Sequence, residues 1–567
     1  MFRRLHGTRF ALLLISTLVL LASASVAVSA VVGVEVSLGV GERVVRGHYS
    51  PVRVTLSAVE DGTEGAIVVS QLTGDVFSDQ ETMTAVIYRG TLEDRTYEAT
   101  IPIFEPLNPL EVSVEDTAGH VLRAVTLNPR LMRRVGPFPA VCGPTFEIGL
   151  DTVLIDAGEI PRDWWGLHAV RQLWIGGNAV PSADAWRTIA EWVLAGGSLV
   201  VLSGTDFYRL DSPDLRDLMP IGNPELVELS GGQMLVQGTL KEGAVLALEN
   251  ESETWSAASW KYGSGEVTFV SASSDDLGQA DIETIGSMAG STEIPSIEGA
   301  GASALGSMEV IKPWTWFAPL VLLLGTLAYL VFARIGVSRP RLAWVLLCGA
   351  LVGLSVWSGF ASRRTKHVID LYVANTSVKV QGEYGIAIGW SSFYANRSRM
   401  ASIGHEAGSF PIQSLEETVF DSDFSVESEA SATKVLLQAH EYRGFELYRR
   451  SQSFFHVTYE NGRVTIENPG EKVVEDAVLI VEGKVYELPP IPSGTFQSTL
   501  SGGIPEYLFS SRRVADDRII RQYSDVLSYD ESVWLVVSDE HETVTRSGEW
   551  GEKVRASTVT FILGESR

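Results

Sequence analysis

Two apolar runs without an ionisable side chain constrain this chain more than any other feature: WTWFAPLVLLLGTLAYLVFA at residues 314–333 and LAWVLLCGALVGLSVWSGFA at residues 342–361. At 1.5 Å of helical rise per residue, about 20 residues match the roughly 30 Å of hydrocarbon in a bilayer. The link between the runs is short, carries Arg334, Arg339 and Arg341, and is punctuated by Pro340. A link so short predicts an antiparallel transmembrane hairpin, with the lipid bilayer as a partner and Trp314, Trp316 and Tyr329 near the interfaces. Gly349 and Gly353 stand four apart in the second run, a spacing that lets another helix approach closely, either the first helix or that of a second copy in a homodimer.

Residues 1–30 read as a signal peptide: Arg3, Arg4 and Arg9, an apolar stretch, then small residues ending at Ala30. An uncleaved anchor is the competing reading. Charge near the hairpin does not orient it, because Arg363, Arg364 and Lys366 balance the basic loop. Export of residues 31–313 does orient it: the first helix returns the chain inward and the second sends residues 365–567 outward. The expectation is a multi-pass cytoplasmic membrane protein with both large regions on the extracytoplasmic side.

A chain of 567 residues has room for several domains. Its net charge of -26 opposes contact with nucleic acid. The only two cysteines, Cys142 and Cys348, support neither a disulfide framework nor a thiolate metal site, since the second lies within an apolar run.

Residues 31–140 carry short, alternating, Val- and Thr-rich runs such as SPVRVTLSAV, which predict an immunoglobulin-like β-sandwich. In residues 145–275 the pattern changes. Buried strands at 152–156 and 172–175 precede a helix with Ser182 as N-cap and Asp184 in its first turn. Trp186, Ile189, Ala190, Trp192 and Val193 give that helix an apolar face, Gly196 and Gly197 end it, and a strand follows at 198–203. Strand, helix and strand in this order predict a right-handed crossover in a parallel sheet. Residues 276–312 read as a linker. Residues 365–567 are β-rich, with a two-residue turn at Asn461-Gly462 and a helix within 510–529.

At LWIGG (173–177), AWRTIAEWVLAGG (185–197), SLVVLSG (198–204) and YGSGEVTFVSA (262–272) the sequence resembles a family of bacterial envelope membrane proteins containing a domain shaped like class I glutamine amidotransferases. ERVVRGHYSPVRVTL looks like that family's leading β-sandwich and DAVLIVEGKVYELPPIPSGT like its C-terminal β-domain, so the likeness covers most of the chain. The fold class it implies is multidomain α/β plus all-β. Its parts are an immunoglobulin-like sandwich, a flavodoxin-like or amidotransferase-like parallel-sheet domain, a two-helix transmembrane hairpin and a C-terminal β-sandwich.

An amidotransferase needs a thiolate at a strand-to-helix turn with a histidine beside it. At the corresponding turn, near Ser203, there is no cysteine, and Ser273, Ser274, Asp275 and Asp276 stand where the resemblance places a His-x-Glu pair. His168 is the domain's only histidine. No catalytic residue, metal ligand or cofactor is therefore assigned. Gly176, Gly177, Asn178, Ser203, Gly204, Thr205 and Asp206 are expected at the carboxyl ends of parallel strands, where ligands commonly bind; turn formation alone also explains them. Tryptophans 164, 165, 174, 186 and 192 suit core packing better than carbohydrate stacking. His405-Glu406, His440-Glu441 and His541-Glu542 lack the second histidine of a zinc hydrolase motif. The expected function is a non-enzymatic membrane-anchored envelope protein binding other envelope or membrane proteins or a ligand. The alternatives are an exported hydrolase or glycan-processing enzyme and an accessory subunit of a transporter.

Overall fold

The computed structural model describes residues 32–72, 82–103, 107–129, 132–134, 136–143, 152–177, 179–229, 232–249, 255–289, 334, 371–380, 385–395, 399–404, 412–413, 424–427, 432–437, 442–451, 455–505, 533–543 and 554–566. The signal segment, both apolar runs with Gly349 and Gly353, and the helix expected at 510–529 lie outside the described residues.

Near the amino end two sheets face each other, antiparallel except for one added strand. One orders Gly33–Leu38, Tyr49–Ser57 and Thr96–Pro102; the other orders Phe424–Glu427, Thr82–Thr91, Glu64–Leu72, Leu110–Asp116 and Val121–Leu127. Period-two alternation sends Val52, Val54 and Leu56 from the first sheet and Ile67, Val69, Val112 and Val114 from the second into one core. Full burial of each such side chain contributes about 1.5–3 kcal/mol. The outermost strand, Phe424–Glu427, comes from the far half of the chain and pairs parallel with Thr82–Thr91.

A seven-stranded sheet follows, in the order Val153–Ile155, Phe138–Cys142, Val170–Ile175, Ser198–Leu202, Gly265–Val270, Ser256–Tyr262, Val245–Glu249. The first five are parallel and the last two antiparallel. The helix Ala183–Leu194 begins where Ser182 Oγ accepts from the Ala185 amide at 3.2 Å. It ends before Gly197, where a Cβ would fall 2.3 Å from the Trp192 ring. Leu199 and Val201 share their core with this helix, whereas Val200 and Leu202 share theirs with the helix Gln279–Met288, within the stretch expected as linker.

The third unit is a twelve-stranded sheet whose main path runs Ile412–Gln413, Tyr442–Ser451, Gly385–Ala395, Leu371–Val380, Val554–Ser566, Val533–Thr543, Asp476–Val481, Lys484–Glu487, Ile504–Pro505. It docks on the helix Ala183–Leu194. Arg450 Nε lies 2.9 Å from both carboxylate oxygens of Glu191, which is fully buried, and Arg187 Nε donates to the same carboxylate at 3.1 Å. Buried residues of all three units, among them Val54, Trp192 and Tyr448, form one hydrophobic cluster.

These findings correct the expected fold class. The described residues are predominantly strand, with four α-helices: Ala183–Leu194, Phe207–Leu210, Pro213–Leu218 and Gln279–Met288. A flavodoxin-like winding joins successive parallel strands through full helices, and only one such crossover is present among the described residues. Two 3-10 turns link Val153–Ile155 to Val170–Ile175, while short helices, an antiparallel hairpin and two added strands intervene before Gly265–Val270. The two-helix transmembrane hairpin and the multi-pass membrane placement are corrected as well. Among the described residues no helix is long and apolar enough to cross a membrane. The longest has 12 residues, about 18 Å at 1.5 Å each against roughly 30 Å of hydrocarbon.

Candidate functional site at the strand ends

Neighbouring parallel strands end in step, with Cys142 beside Ile175, Ile175 beside Val201 and Leu202 beside Val270. Gly176 is buried and its amide donates to the Cys142 carbonyl at 3.2 Å; Gly177 has φ +58°. Gly143, at φ +95°, approaches so closely that a Cβ there would lie 2.1 Å from the Gly176 carbonyl oxygen. On the next strand, Gly204 has φ +58° and a Cβ would lie 2.4 Å from the Ser273 amide nitrogen. Glycine satisfies both requirements, the left-handed backbone and the close approach. Thr205 is exposed, Asp206 ends the 3-10 turn Gly204–Asp206, and Asn178 lies outside the described residues.

Ser203 sits at the expected strand end with its side chain sealed. It is fully buried, its Oγ donates to the Val270 carbonyl at 2.7 Å, and its amide approaches the carbonyls of Val270 and Ala272 at 3.2 and 3.0 Å. His168 is at the other end of the sheet. Gln172 pairs with Ser198 in parallel register, so His168 precedes the amino ends while Ser203 follows the carboxyl ends. Five strand residues at 3.3 Å place about 16 Å between those ends. A general base must come within hydrogen-bond reach of its nucleophile, and this pair does not.

Cys142 closes a neighbouring strand. Burial, with Asp156 and then Glu159 adding negative potential, pushes its thiol up to about 12. A thiol so disposed is a packing group, not a nucleophile. Ser273 Oγ donates to Asp276 Oδ2 at 2.7 Å, so the residues aligned with the His-x-Glu position are tied to one another across the 3-10 turn Ser274–Asp276. Trp164, Trp165, Trp174, Trp186 and Trp192 are each at most 2% exposed, which rules out sugar stacking on them. Trp174 Nε1 donates to Gln172 Oε1 at 2.8 Å, and Gln172 Nε2 donates to the Ala289 carbonyl at 2.9 Å, fastening the helix Gln279–Met288 to the sheet. His405-Glu406 and His440-Glu441 lie outside the described residues; His541 and Glu542 are on the strand Val533–Thr543.

Sequence reasoning missed two exposed residues beyond these strand ends. Val180 is 58% exposed and Tyr208 70% exposed, and they leave the adjacent strands Val170–Ile175 and Ser198–Leu202 respectively. The available signal was an apolar residue two positions beyond each of the two segments, 176–178 and 203–206, read as strand ends. No protein-family model matches the chain, and no curated protein matches it.

Proposed function

We propose that this chain is a non-enzymatic binding protein whose seven-stranded sheet presents its carboxyl-end loops to a partner protein, with the flanking β-sheets as a fixed support. The observation that carries this reading is the exposure of Tyr208, on the short helix Phe207–Leu210 after the strand Ser198–Leu202, with Val180 exposed after the adjacent strand, since tyrosine is among the usual anchors of protein interfaces. Two further features support it. The loop glycines allow tight backbone packing, so the surface is preformed and loses little entropy on binding. The Ser203 hydroxyl is occupied by the Val270 carbonyl and faces away from solvent. The passages resembling the envelope family, LWIGG and SLVVLSG, lead into these same loops.

The test begins with a partner retrieved from native extract on the immobilised full chain and identified by mass spectrometry. Its affinity is then measured for wild type and for Val180→Asp/Tyr208→Ala. A loss of about tenfold or more is expected, in line with truncation of an aromatic anchor. Equal binding by both proteins overturns the reading. In parallel, ester and amide turnover is compared between wild type and Ser203→Ala; turnover that disappears in the variant overturns it in favour of the hydrolase.

A further inference from the structure

All three units meet around one imidazole. His168 precedes the strand Val170–Ile175; its ring lies 4.6 Å from that of His48, which precedes the strand Tyr49–Ser57. From the twelve-stranded sheet, Tyr448 brings its hydroxyl to 3.5 Å from His168 Nε2, and its ring stacks edge-on against Tyr49 and Trp164 at 5.0 and 5.2 Å. Two residues on, Arg450 holds Glu191. His168 Nδ1 is sealed from solvent and has no hydrogen-bond partner.

We propose that the His48–His168 pair is an acid-sensitive latch: neutral, it lets the twelve-stranded sheet dock on the helix Ala183–Leu194, and protonation releases that sheet.

A protonated imidazole has a hydrogen on each ring nitrogen. His168 would then bury a cation whose Nδ1–H has no acceptor, and an unsatisfied buried donor is costly. The neighbouring charges offer no relief. On the packed elements Glu191 is held by Arg187 and Arg450, Asp163 by Arg450, and Glu98 by Arg53, while the Arg46 carbonyl lies 2.9 Å from His48 Nδ1. Burial, reinforced by His48, holds His168 down at about 3. Burial also holds His48 below its ordinary value, against the raising effect of the Arg46 carbonyl.

The docked pair therefore binds fewer protons than the exposed pair. Docking is strongest above pH 6.5, the ordinary histidine value, and weakens as pH falls from there toward 3. At pH 5, His168 alone weakens docking by roughly 30-fold, since an exposed imidazole is then almost fully protonated and the docked one is not.

The experiment is hydrogen exchange with mass-spectrometric readout on the full chain at pH 7.5 and pH 5, corrected for the intrinsic pH dependence of exchange. Protection of the strand Tyr442–Ser451 and the helix Ala183–Leu194 is expected to fall by about 30-fold or more relative to Asp476–Val481, within the released sheet. In His48→Gln/His168→Gln the fall is expected to shrink below about threefold. Unchanged protection in wild type, an equal loss across the chain, or an undiminished fall in the variant overturns the proposal. Should the variant not fold, the regional pattern in wild type decides alone.

Discussion

Replacing Arg450 by Met tests whether the clamp on Glu191 holds the twelve-stranded sheet in place. Glu191 has no exposed side-chain surface, Arg450 is 27% exposed, and the guanidinium Nε sits 2.9 Å from both carboxylate oxygens. With an effective dielectric of about 20, one charge pair at that distance attracts by roughly 6 kcal/mol, an upper bound. Two features reduce it: Arg187 remains at 3.1 Å as a second counter-charge, and a quarter of Arg450 is already solvated. The variant also loses the hydrogen bond from Arg450 to the Arg162 carbonyl at 3.0 Å. A cost of about 3 kcal/mol follows, at the low end of what breaking a buried pair usually costs.

Most of that cost belongs to the carboxylate left behind, not to the pair. Glu191→Gln/Arg450→Met removes both charges and is expected to cost only about 1 kcal/mol, about 2 kcal/mol less than the single variant. Urea titration followed by tryptophan fluorescence is the assay, because Trp165 lies under the Arg450 guanidinium at 5.9 Å. A single variant within about 0.5 kcal/mol of wild type, or a double variant no more stable than the single, refutes the reasoning.

Gly204→Ala forces a side chain into φ +58° and against the Ser273 backbone; destabilisation above about 2 kcal/mol is expected, read as a lowered urea midpoint. The raised Cys142 thiol predicts a thiolate fraction of roughly one in ten thousand at pH 8. In Cys348→Ser, a disulfide reagent should therefore label Cys142 only after denaturation, and prompt labelling of the native protein would contradict its burial.

Local signals located local structure. Ser182 caps its helix as its position foretold, and Gly196-Gly197 ends it where Trp192 folds over the backbone. Asn461 and Gly462, at φ +49° and +80°, make the expected two-residue turn between paired Glu460 and Arg463. Gly176 and Gly177 follow the strand Val170–Ile175, and Ser203, Gly204, Thr205 and Asp206 follow Ser198–Leu202. What the sequence did not disclose is which way Ser203 faces, because a strand-end serine has the same local pattern whether its hydroxyl meets solvent or the next strand's carbonyl. Long-range pairing was equally hidden: FSVE gives no local hint of joining Thr82–Thr91, more than three hundred residues away.

The helix Ala183–Leu194 shows where a stricter reading reaches further. Trp186, Ile189, Ala190, Trp192 and Val193 mark one apolar face and leave Glu191 looking like ordinary solvated charge. Yet Ala185, Trp186, Thr188, Ile189, Ala190, Glu191, Trp192, Val193 and Leu194 are all buried, so other elements enclose the helix well beyond its apolar face. A carboxylate in such a helix must be met by a cation, since an unpaired buried charge costs several kcal/mol. Arg187, one turn earlier, is visible in the sequence as half of that answer. The other half arrives from Arg450, 259 residues on, and only the fold brings it there. The charge that appears least at home in the helix is thus the one that records where the twelve-stranded sheet must dock.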